Sequence, residues 1–357
     1  MTRVALIGLG AMGRNHLRVL SDLEGVELAA VCDMDEKVVA TASRKHSVAG
    51  YVSWAEMLER ERLDAAVVAV PTRFHLDVGL AVLERGLHVL IEKPIATTLE
   101  EGRRLVAAAR DEDRVFAVGH SERFNPAVRE LRRRVAAGEI GRIYQIQARR
   151  LGPFPARIRD VGVVIDLVTH DLDVMYTLAG SEVQRLYGET EQRIHTDHED
   201  ILNALLKFES GMLGVLQVNW LTPTKIREIS VLGERGMFVC NYLTQELRYY
   251  KNAEVESDPG GDPHPRAVTE GEAVTFPIGQ GEPLRLELQA FVQAVRGERA
   301  IEVDGEAGLR ALHLALAVVT SASESRVLER RELETLWSGR SVGAGRERPR
   351  RAHARDQ

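Results

Sequence analysis

The stretch Val4-Ala5-Leu6-Ile7-Gly8-Leu9-Gly10-Ala11-Met12-Gly13 decides the fold class of this chain. Its first four residues are apolar, a run that is too short for a helix and typical of a strand buried on both faces. Gly8, Gly10 and Gly13 follow directly, and the segment Arg14–Leu20 has helical character. Glycine permits tight turns and lets other groups approach the backbone closely. The stretch therefore predicts a strand, a glycine-rich turn and a helix.

The same alternation continues up to residue 120. Amphipathic segments such as Phe74–Arg85 and Leu99–Asp111 separate short apolar runs. The predicted strands are Arg3–Ile7, Glu27–Cys32, Ala65–Val70, His88–Ile91 and Val115–Val118. Short strands that are apolar on both sides and alternate with helices indicate a parallel sheet covered on both faces. We therefore predict an α/β domain over residues 1–121, a doubly wound parallel sheet of the Rossmann type.

The pattern changes after Pro126. A helix is predicted at Ala127–Ala137, followed by an alternating strand at Ile143–Arg150. Further strands separated by turn residues are predicted at Ile201–Phe208, Met212–Trp220, Ile226–Leu232, Met237–Tyr242 and Glu246–Lys251. Hairpins of this kind build an antiparallel sheet that can leave one face free for a ligand or a subunit. Residues 122–336 are thus predicted to form an α+β domain with a large, mostly antiparallel, open-faced sheet.

Composition excludes several classes of function. The 357 residues carry a formal net charge of −6, so we expect no nucleic-acid partner. No run approaches the ~18 apolar residues of a membrane span, so we expect no membrane association. Cys32 and Cys240 each lie in an apolar run, which is typical of buried thiols in a reducing compartment. Because the first strand begins close to Met1, we expect no signal peptide and a cytoplasmic protein. The segment 337–357 is rich in arginine and is predicted to be a disordered tail.

The glycine-rich turn predicts a dinucleotide site. Gly8 would allow the tight turn, and Gly10 would allow a pyrophosphate to approach the backbone. Gly13 would let the helix pack closely on the strand, while Ala11 and Met12 lie where the positive end of the helix dipole faces the phosphates. A glycine-rich turn with a purely structural role is the alternative.

The acidic residue at the end of the second strand predicts which dinucleotide binds. Asp33 follows that strand directly, where a carboxylate suits the adenosine ribose hydroxyls and repels a 2′-phosphate. The next residues are Met34 and Asp35, with no arginine to accept such a phosphate. We therefore predict NAD rather than NADP as the cofactor.

Polar residues follow the third and fourth strands. Pro71, Thr72 and His75 come after the third, and Glu92 and Lys93 end the fourth. Because the carboxyl ends of parallel strands share one edge, where open α/β sheets bind ligands, we expect these residues beside the cofactor. A lysine after a strand is otherwise a common surface residue.

A later segment, residues 165–179, predicts a helix that ends at Gly180. Asp166, His170 and Asp173 are spaced to form one polar stripe on it. The stripe is either a set of functional groups, a solvated face, or a core histidine with its partners. We predict no metal site, because three ligands cannot be assigned.

The chain is similar to a known family in both the order and the spacing of its motifs. Over residues 1–330 it resembles the Gfo/Idh/MocA oxidoreductases in Gly8-x-Gly10-x-x-Gly13, Pro71-Thr72-x-x-His75, Glu92-Lys93-Pro94 and Asp166-x-x-x-His170. The resemblance implies that Lys93, Asp166 and His170 surround the nicotinamide and the reacting carbinol. It also implies a homodimer or homotetramer.

The chemistry of alcohol oxidation gives these residue types their roles. A neutral imidazole accepts a proton near pH 7, so His170 is a candidate general base. Lys93 would hydrogen-bond the same oxygen and stabilise its developing negative charge. Asp166 would position the substrate or tune the imidazole. The roles of Lys93 and His170 are interchangeable on sequence alone.

Three further segments resemble the branch of the family that oxidises C3 of nucleotide-activated amino sugars. They are Gly119–Pro126, Arg149–Pro153 with Arg157 and Arg159, and Asn219–Pro223 with Lys225 and Arg227. A diphosphate substrate needs cations, and arginine binds phosphate with two hydrogen bonds. The predicted substrate-binding residues are Arg123, Asn125, Arg149, Arg150, Arg157 and Lys225.

The leading prediction is therefore NAD-dependent oxidation of the C3 hydroxyl of UDP-N-acetylglucosamine, whose keto product an aminotransferase would use. One alternative is a dehydrogenase of the same family acting on inositol, another polyol or another sugar. A second is a glycosidase that uses NAD transiently. A third is a non-enzymatic NAD-binding regulator, which the combination of Lys93, Asp166 and His170 disfavours because a sensor needs no proton-transfer groups.

Overall fold

The computed structural model of the chain describes residues 1–154, 162–194, 198–253 and 270–338. Arg157 and the predicted tail from residue 339 onward lie outside these residues.

The first sheet has six parallel strands in the order β3-β2-β1-β4-β5-β6 within the described residues. They are β1 (Thr2–Ile7), β2 (Val26–Cys32), β3 (Ala49–Tyr51), β4 (Ala65–Val68), β5 (His88–Glu92) and β6 (Phe116–Gly119). This is the strand order of a dinucleotide-binding Rossmann sheet, with a topological switch between β1 and β4. The predicted N-terminal fold is thus confirmed.

Helices cover both faces of this sheet. They are α1 (Ala11–Leu20), α2 (Glu36–His46), α3 (Trp54–Arg60), α4 (His75–Glu84) and α5 (Leu99–Asp111). Thr98 and Glu101 form a reciprocal capping box that starts α5 where predicted. The start of α1 lies at Ala11, earlier than the predicted Arg14, so the helix begins inside the glycine-rich turn.

The second sheet contains nine strands over the described residues, in the order β14-β13-β12-β11-β7-β10-β9-β8-β15. They are β7 (Ile143–Pro153), β8 (Val183–Glu191), β9 (Ile201–Phe208), β10 (Leu213–Asn219), β11 (Leu221–Gly233), β12 (Gly236–Asn241), β13 (Glu246–Asn252), β14 (Glu270–Phe276) and β15 (Leu328–Glu329). All neighbouring pairs are antiparallel except β7 and β10, which are parallel. The predicted mostly antiparallel sheet is confirmed.

One face of the second sheet is packed and the other is open. Along β9 the burial alternates, so that Leu202, Ala204 and Leu206 are buried while Asn203 and Leu205 are exposed. Helices cover the packed face: α6 (Pro126–Ala136), a π-helical turn (Val164–Val168) continued by α7 (Thr169–Ala179), α9 (Gly305–Glu324) and α10 (Arg330–Trp337).

Helix α8 (Pro283–Val295) departs from a simple division of the chain at residue 121. Its apolar residues Leu284, Leu288 and Phe291 pack in one cluster with Val4 and Leu6 of β1. A segment late in the sequence therefore completes the core of the first domain. None of the helices in the described ranges is long and apolar enough to cross a membrane.

Candidate active site

The glycine-rich turn between β1 and α1 forms an open cradle. Gly8 has a φ of +98°, and a Cβ there would lie 2.4 Å from the Ala69 carbonyl oxygen. A Cβ on Gly13 would lie 2.0 Å from the Gly8 carbonyl oxygen. A Cβ on Gly10, in contrast, would meet no atom of the described residues within 4 Å. No described side chain caps α1, so the first-turn N–H groups, including that of Met12, are open to an anion.

Asp33 lies beside this cradle. One carboxylate oxygen accepts a hydrogen bond from the Leu9 N–H at 2.6 Å, and the other accepts one from the Asp35 N–H at 3.0 Å. These contacts hold the carboxylate at the end of β2, where it faces the loop that would carry the adenosine half of a dinucleotide.

The segment after β4 connects two loops at the same sheet edge. Pro71 precedes a 3₁₀ turn that begins at Thr72, and His75 starts α4. The buried ring of His75 places its nitrogens 2.9 Å from the Pro94 carbonyl oxygen and 3.0 Å from the Val70 carbonyl oxygen. Burial lowers the pKa of His75. The ring therefore connects the loops after β4 and β5, at the edge of the sheet where the cofactor is predicted to bind.

Glu92 is buried at the end of β5 and anchors the residue that follows it. One carboxylate oxygen lies 2.8 Å from Nε2 of His16 on α1, and the other accepts the Lys93 backbone N–H at 3.1 Å. Burial acts to raise the pKa of Glu92, but the His16 hydrogen bond and the charges of His16 and Lys93 outweigh it and leave that pKa lowered. The carboxylate therefore stays ionised and fixes the backbone from which Lys93 projects.

Lys93 joins the two domains. Its Nζ donates to the Asp166 carbonyl oxygen at 2.6 Å and to the Asp166 carboxylate at 3.1 Å. The two side chains are 14% and 19% exposed, so the pair lies within the cleft but remains accessible. Two of the three residues predicted to do chemistry are thus in direct contact, although 73 positions separate them in sequence.

His170 lies on the first turn of α7, directly after the π-helical turn that contains Asp166. The side chain is only partly exposed, and its Nδ1 is enclosed with no hydrogen-bond partner among the described residues. Burial holds the pKa of His170 well below its usual range, and Lys93 and Arg150 lower it further. The imidazole is therefore neutral near pH 7, the state in which it accepts a proton.

The predicted stripe of Asp166, His170 and Asp173 does not act as one group. Asp173 is buried and pairs with Arg123, whose Nε donates to it at 2.6 Å. A π-helical turn widens the helix locally, so the residues before and after it no longer follow the 3.6-residue spacing. Asp166 therefore lies in the cleft against Lys93, whereas Asp173 lies in the interior against Arg123.

His120 is a buried residue beside the site to which the sequence reasoning gave no role of its own. It follows β6 and is 1% exposed, and neither ring nitrogen has a partner within the described ranges. Its ring meets that of His170 edge to face, with 6.3 Å between centroids. The segment Gly119–Pro126 includes His120, but no local pattern distinguishes it from a core histidine.

Two residues predicted to bind substrate make structural contacts. Arg123 is buried against Asp173 and also donates to the Glu302 carbonyl oxygen at 3.2 Å. Asn125 is buried, caps α6 through the Ala127 N–H at 3.1 Å and donates to the Tyr242 carbonyl oxygen at 3.0 Å. Both therefore hold the wall of the cleft together.

The adjacent residues Arg149 and Arg150 lie on opposite faces of β7. Successive side chains of a strand alternate, so two neighbouring arginines cannot serve one site. Arg150 is buried and binds Asp171 at 2.8 Å and Glu122 at 3.0 Å. Arg149 is paired in register with Glu228 and bonds Gln217 at 3.4 Å. The predicted cluster of basic residues is therefore divided by the sheet.

Arg227 occupies the position opposite Arg150 in the β11–β7 register. It donates to the carbonyl oxygens of Leu151 at 2.6 Å and Ile226 at 2.9 Å, with no ion-pair partner among the residues described. Burial and the Arg150 charge lower the pKa of Arg227, yet a guanidinium remains charged. Lys225, two residues earlier, is exposed. Asp171, Glu122 and Asp166 act on Arg227 from beyond ion-pair distance, so it is a cation whose guanidinium is in direct ion-pair contact with no carboxylate of the described residues.

The described residues of this region do not bring metal-binding side chains together. Across the described ranges, no group of three or more His, Cys, Asp or Glu side chains is arranged to hold a metal ion.

Comparison with known proteins identifies the family. Residues 2–120 match the family described as "Oxidoreductase family, NAD-binding Rossmann fold", and residues 128–239 match the "GFO/IDH/MocA C-terminal domain". The chain belongs to the Gfo/Idh/MocA oxidoreductases. The resemblance seen in its motifs is thereby confirmed, as is NAD as the cofactor.

Two relatives within the family differ in substrate. The UDP-N-acetylglucosamine 3-dehydrogenase of Acidithiobacillus ferrooxidans is 28% identical over 318 residues, 88% of this chain and 96% of that protein. A crystal structure of that enzyme superposes with a TM-score of 0.80 at 27% identity, covering 90% of this chain and 97% of the other. The myo-inositol 2-dehydrogenase of Thermotoga maritima is 25% identical over 344 residues, 93% of this chain and 99% of that protein.

The residues present fit the NAD that this family binds. The open space at Gly10 and the uncapped N-terminus of α1 suit a pyrophosphate, and Asp33 suits the ribose hydroxyls. The edge formed by Pro71, Thr72 and Lys93 lies at the carboxyl ends of β4 and β5, where a Rossmann domain receives the nicotinamide half.

Proposed function

We propose that this Gfo/Idh/MocA oxidoreductase oxidises a secondary alcohol of a nucleotide-activated amino sugar. The specific reaction we propose converts the C3 hydroxyl of UDP-N-acetylglucosamine to a ketone. The observation that carries the proposal is the contact of Lys93 with Asp166, with a neutral His170 on the next turn. These groups provide a proton acceptor, a cation and an orienting carboxylate at the cofactor edge of the sheet.

The proposed roles follow from the state of each group. Bound NAD supplies the hydride acceptor. His170 takes the hydroxyl proton, because its lowered pKa keeps the ring neutral and ready to accept. Lys93 donates to the same oxygen and stabilises the negative charge that develops there. Asp166 orients the ammonium group through its carboxylate and its carbonyl oxygen.

The proposed substrate class depends on Arg227. A diphosphate brings negative charge into the cleft, and the guanidinium of Arg227, which has no ion-pair partner among the described residues, can bind it without first breaking an ion pair. Lys225, which is exposed two residues earlier on the same strand, can add a second charge. Arg123, Asn125 and Arg150 then support the cleft wall, while Arg149 lies on the open face of the sheet.

The reaction is tested by following NADH absorbance with purified protein, NAD and UDP-N-acetylglucosamine. A trapping aminotransferase should be included, since oxidation of an alcohol by NAD is unfavourable unless the ketone is removed. We expect turnover, and a loss of kcat of about 10²–10⁴-fold in Lys93→Met and His170→Asn. No NADH formation with the trap present would contradict the proposed substrate.

A second experiment separates the nucleotide sugar from a free polyol. Arg227→Gln should lower kcat/KM for UDP-N-acetylglucosamine by about 10-fold or more, the loss of one charge-assisted contact. Arg185→Gln, on the exposed side of β8, is the matched control and should leave kcat/KM unchanged. A high kcat/KM on myo-inositol that Arg227→Gln does not alter would favour the inositol alternative.

The cellular setting of the proposed reaction follows from its chemistry. A 3-keto amino sugar is a substrate for an aminotransferase, which we propose as the next enzyme in the sequence. Cys32 and Cys240 are buried free thiols, which fits the proposed cytoplasmic location.

We further propose that the chain forms a homodimer or homotetramer through the open face of its second sheet.

A further inference from the structure

The arrangement of His120 and His170 has no explanation in the proposed roles. His120 is 1% exposed, at the start of the 3₁₀ turn Ser121–Phe124 that follows β6. Both of its ring nitrogens and Nδ1 of His170 are buried, and none has a partner among the described residues. A buried polar group without a partner destabilises the folded protein, so three such nitrogens at one place call for a function.

The two imidazole rings pack against each other. Their centroids are 6.3 Å apart and their planes cross at 85°, so the edge of one ring points at the face of the other. A proton that passes between ring nitrogens at this separation would need one bridging water molecule. The enclosed Nδ1 of His170 leaves Nε2 as the nitrogen that serves the cleft.

The charged groups that act most on His120 belong to several elements. Asp173 of α7 and Glu92 of β5 favour its protonated form, whereas Arg123 of the 3₁₀ turn and Lys93 oppose it. Burial is the largest influence and lowers the pKa of His120. The ring is thus neutral at rest, with carboxylates near enough to stabilise a proton that arrives briefly.

We propose that His120 is a second proton carrier that acts through His170. This inference rests on the proposed dehydrogenase function. As the substrate O–H bond breaks, Nε2 of His170 gains the proton, and Nδ1 of His170 releases its own proton through one water molecule to a nitrogen of His120. The electron pair of the O–H bond stays on oxygen and forms the carbonyl as hydride leaves the carbon for NAD. In this scheme His120 acts on the substrate only through His170, so it is a positioning residue and does not itself contact the substrate.

The test combines kinetics with histidine titration. His120→Phe keeps the ring shape and removes both nitrogens, and His120→Gln serves if the first variant folds poorly. We expect kcat to fall about 10- to 100-fold with KM for sugar and NAD within about threefold, as for other groups that orient a reacting side chain. The acid limb of kcat/KM should move to higher pH, because the charge on His120 lowers the pKa of His170 and the variant removes that charge.

Two readouts distinguish proton transfer from simple support. In mixtures of H₂O and D₂O, the rate of the unchanged enzyme should depend on deuterium fraction along a curve, and that of His120→Phe along a straight line. In the free protein, nitrogen NMR should show His120 and His170 titrating as a coupled pair, with His170 titrating alone in the variant. His313→Phe removes another largely enclosed imidazole, bound to the Leu333 carbonyl oxygen, and should change neither readout.

The outcomes separate this inference from the proposed function. An active enzyme whose His120 variants keep full kcat and an unchanged proton dependence would overturn the inference and leave the dehydrogenase intact. An inactive wild-type protein would remove the proposed function. In that case the NMR titration still decides, because independent titration of the two rings overturns the inference and coupled titration supports it.

Discussion

At the scale of single residues, the environment of His170 sets the pH range that we expect for the proposed reaction. Its pKa is lowered by burial and by Lys93, so the imidazole remains a proton acceptor below the ordinary value of about 6.5. As pH falls through the lowered pKa, the ring protonates, so the proposed oxidation of the alcohol should stop. We expect the acid limb of kcat/KM below about pH 6.5, measured from about pH 5 to about pH 9. A limb at or above the ordinary imidazole value contradicts this assignment of the base.

Glu287 leads to a prediction about stability. It is 2% exposed on α8, both carboxyl oxygens lack a partner in the described ranges, and burial together with the Glu92 charge holds its pKa well above the usual range. The unfolded chain ionises this group above about pH 4.3, whereas the folded chain keeps it protonated. Stability therefore falls as pH rises from the unfolded pKa towards the folded one, by about 1.4 kcal/mol per pH unit.

Glu287→Gln, which cannot ionise, should remove this dependence. We expect the free energy of unfolding to change little at about pH 5 and to rise by more than about 2 kcal/mol at about pH 8. Urea unfolding at both pH values measures the effect. Glu298→Gln, in an exposed pair with Arg296, is the matched control and should show no such difference. Equal changes for Glu287→Gln at the two pH values would mean that the carboxyl is already ionised in the folded protein.

At the scale of elements, the β1–α1 turn contains two glycines with different roles: Gly13 is required by packing, and Gly10 by the space that the cofactor needs. Gly13→Ala places a methyl group 2.0 Å from the Gly8 carbonyl oxygen, so the unliganded protein should lose about 1–3 kcal/mol of stability. Gly10→Ala adds the same group where no described atom lies within 4 Å. Its Tm without cofactor should stay unchanged, while its Kd for NAD rises. Thermal unfolding with and without NAD measures both, and a similar loss of Tm in the two unliganded variants would contradict this distinction.

The elements that sequence predicts well are those set by local patterns. The strand, glycine turn and helix from β1 to α1 follow from adjacent residues, as does the capping box at Thr98. The π-helical turn Val164–Val168 does not, since residues 165–179 have an ordinary helical spacing. The turn places Asp166 against Lys93, while Asp173 lies against Arg123.

The placement of the basic residues on the second sheet is also not predicted by local sequence. Arg149 and Arg150 belong to one strand, and only the period of two decides which faces the interior. The register of β7 with β11 then pairs Arg150 with Arg227 and Arg149 with Glu228. Register depends on the whole sheet, so the charges of the second domain could be counted from sequence but not placed.

At the scale of the whole molecule, the site exists only where distant segments meet. Lys93 of the first domain reaches Asp166 of the second, and α8 returns to place Glu287 near Glu92. The order of the motifs, through the resemblance to a family, indicated that Lys93 and Asp166 lie together. The approach of Glu287 to Glu92 has no motif, because a buried glutamate on an amphipathic helix looks like any other until its neighbours are known.

The open face of the second sheet predicts how copies of the chain associate. Leu205 is 58% exposed and Leu213 is 45% exposed on adjacent strands, and Leu232 of β11 is 39% exposed. Exposed apolar residues on a flat sheet favour burial against a second copy. We expect a dimer or tetramer by analytical ultracentrifugation, with Leu205→Glu weakening self-association by at least about tenfold in Kd.

The size of this effect follows from symmetry. In a twofold interface each residue occurs twice, so one substitution introduces two charges into the contact. Leu243→Glu is the matched control, because Leu243 is 55% exposed but lies in the turn between β12 and β13 rather than within the open face. A monomeric wild-type protein, or equal dissociation by both variants, would mean that this face is not the interface. An inactive but folded Leu205→Glu monomer would further show that the cleft depends on assembly.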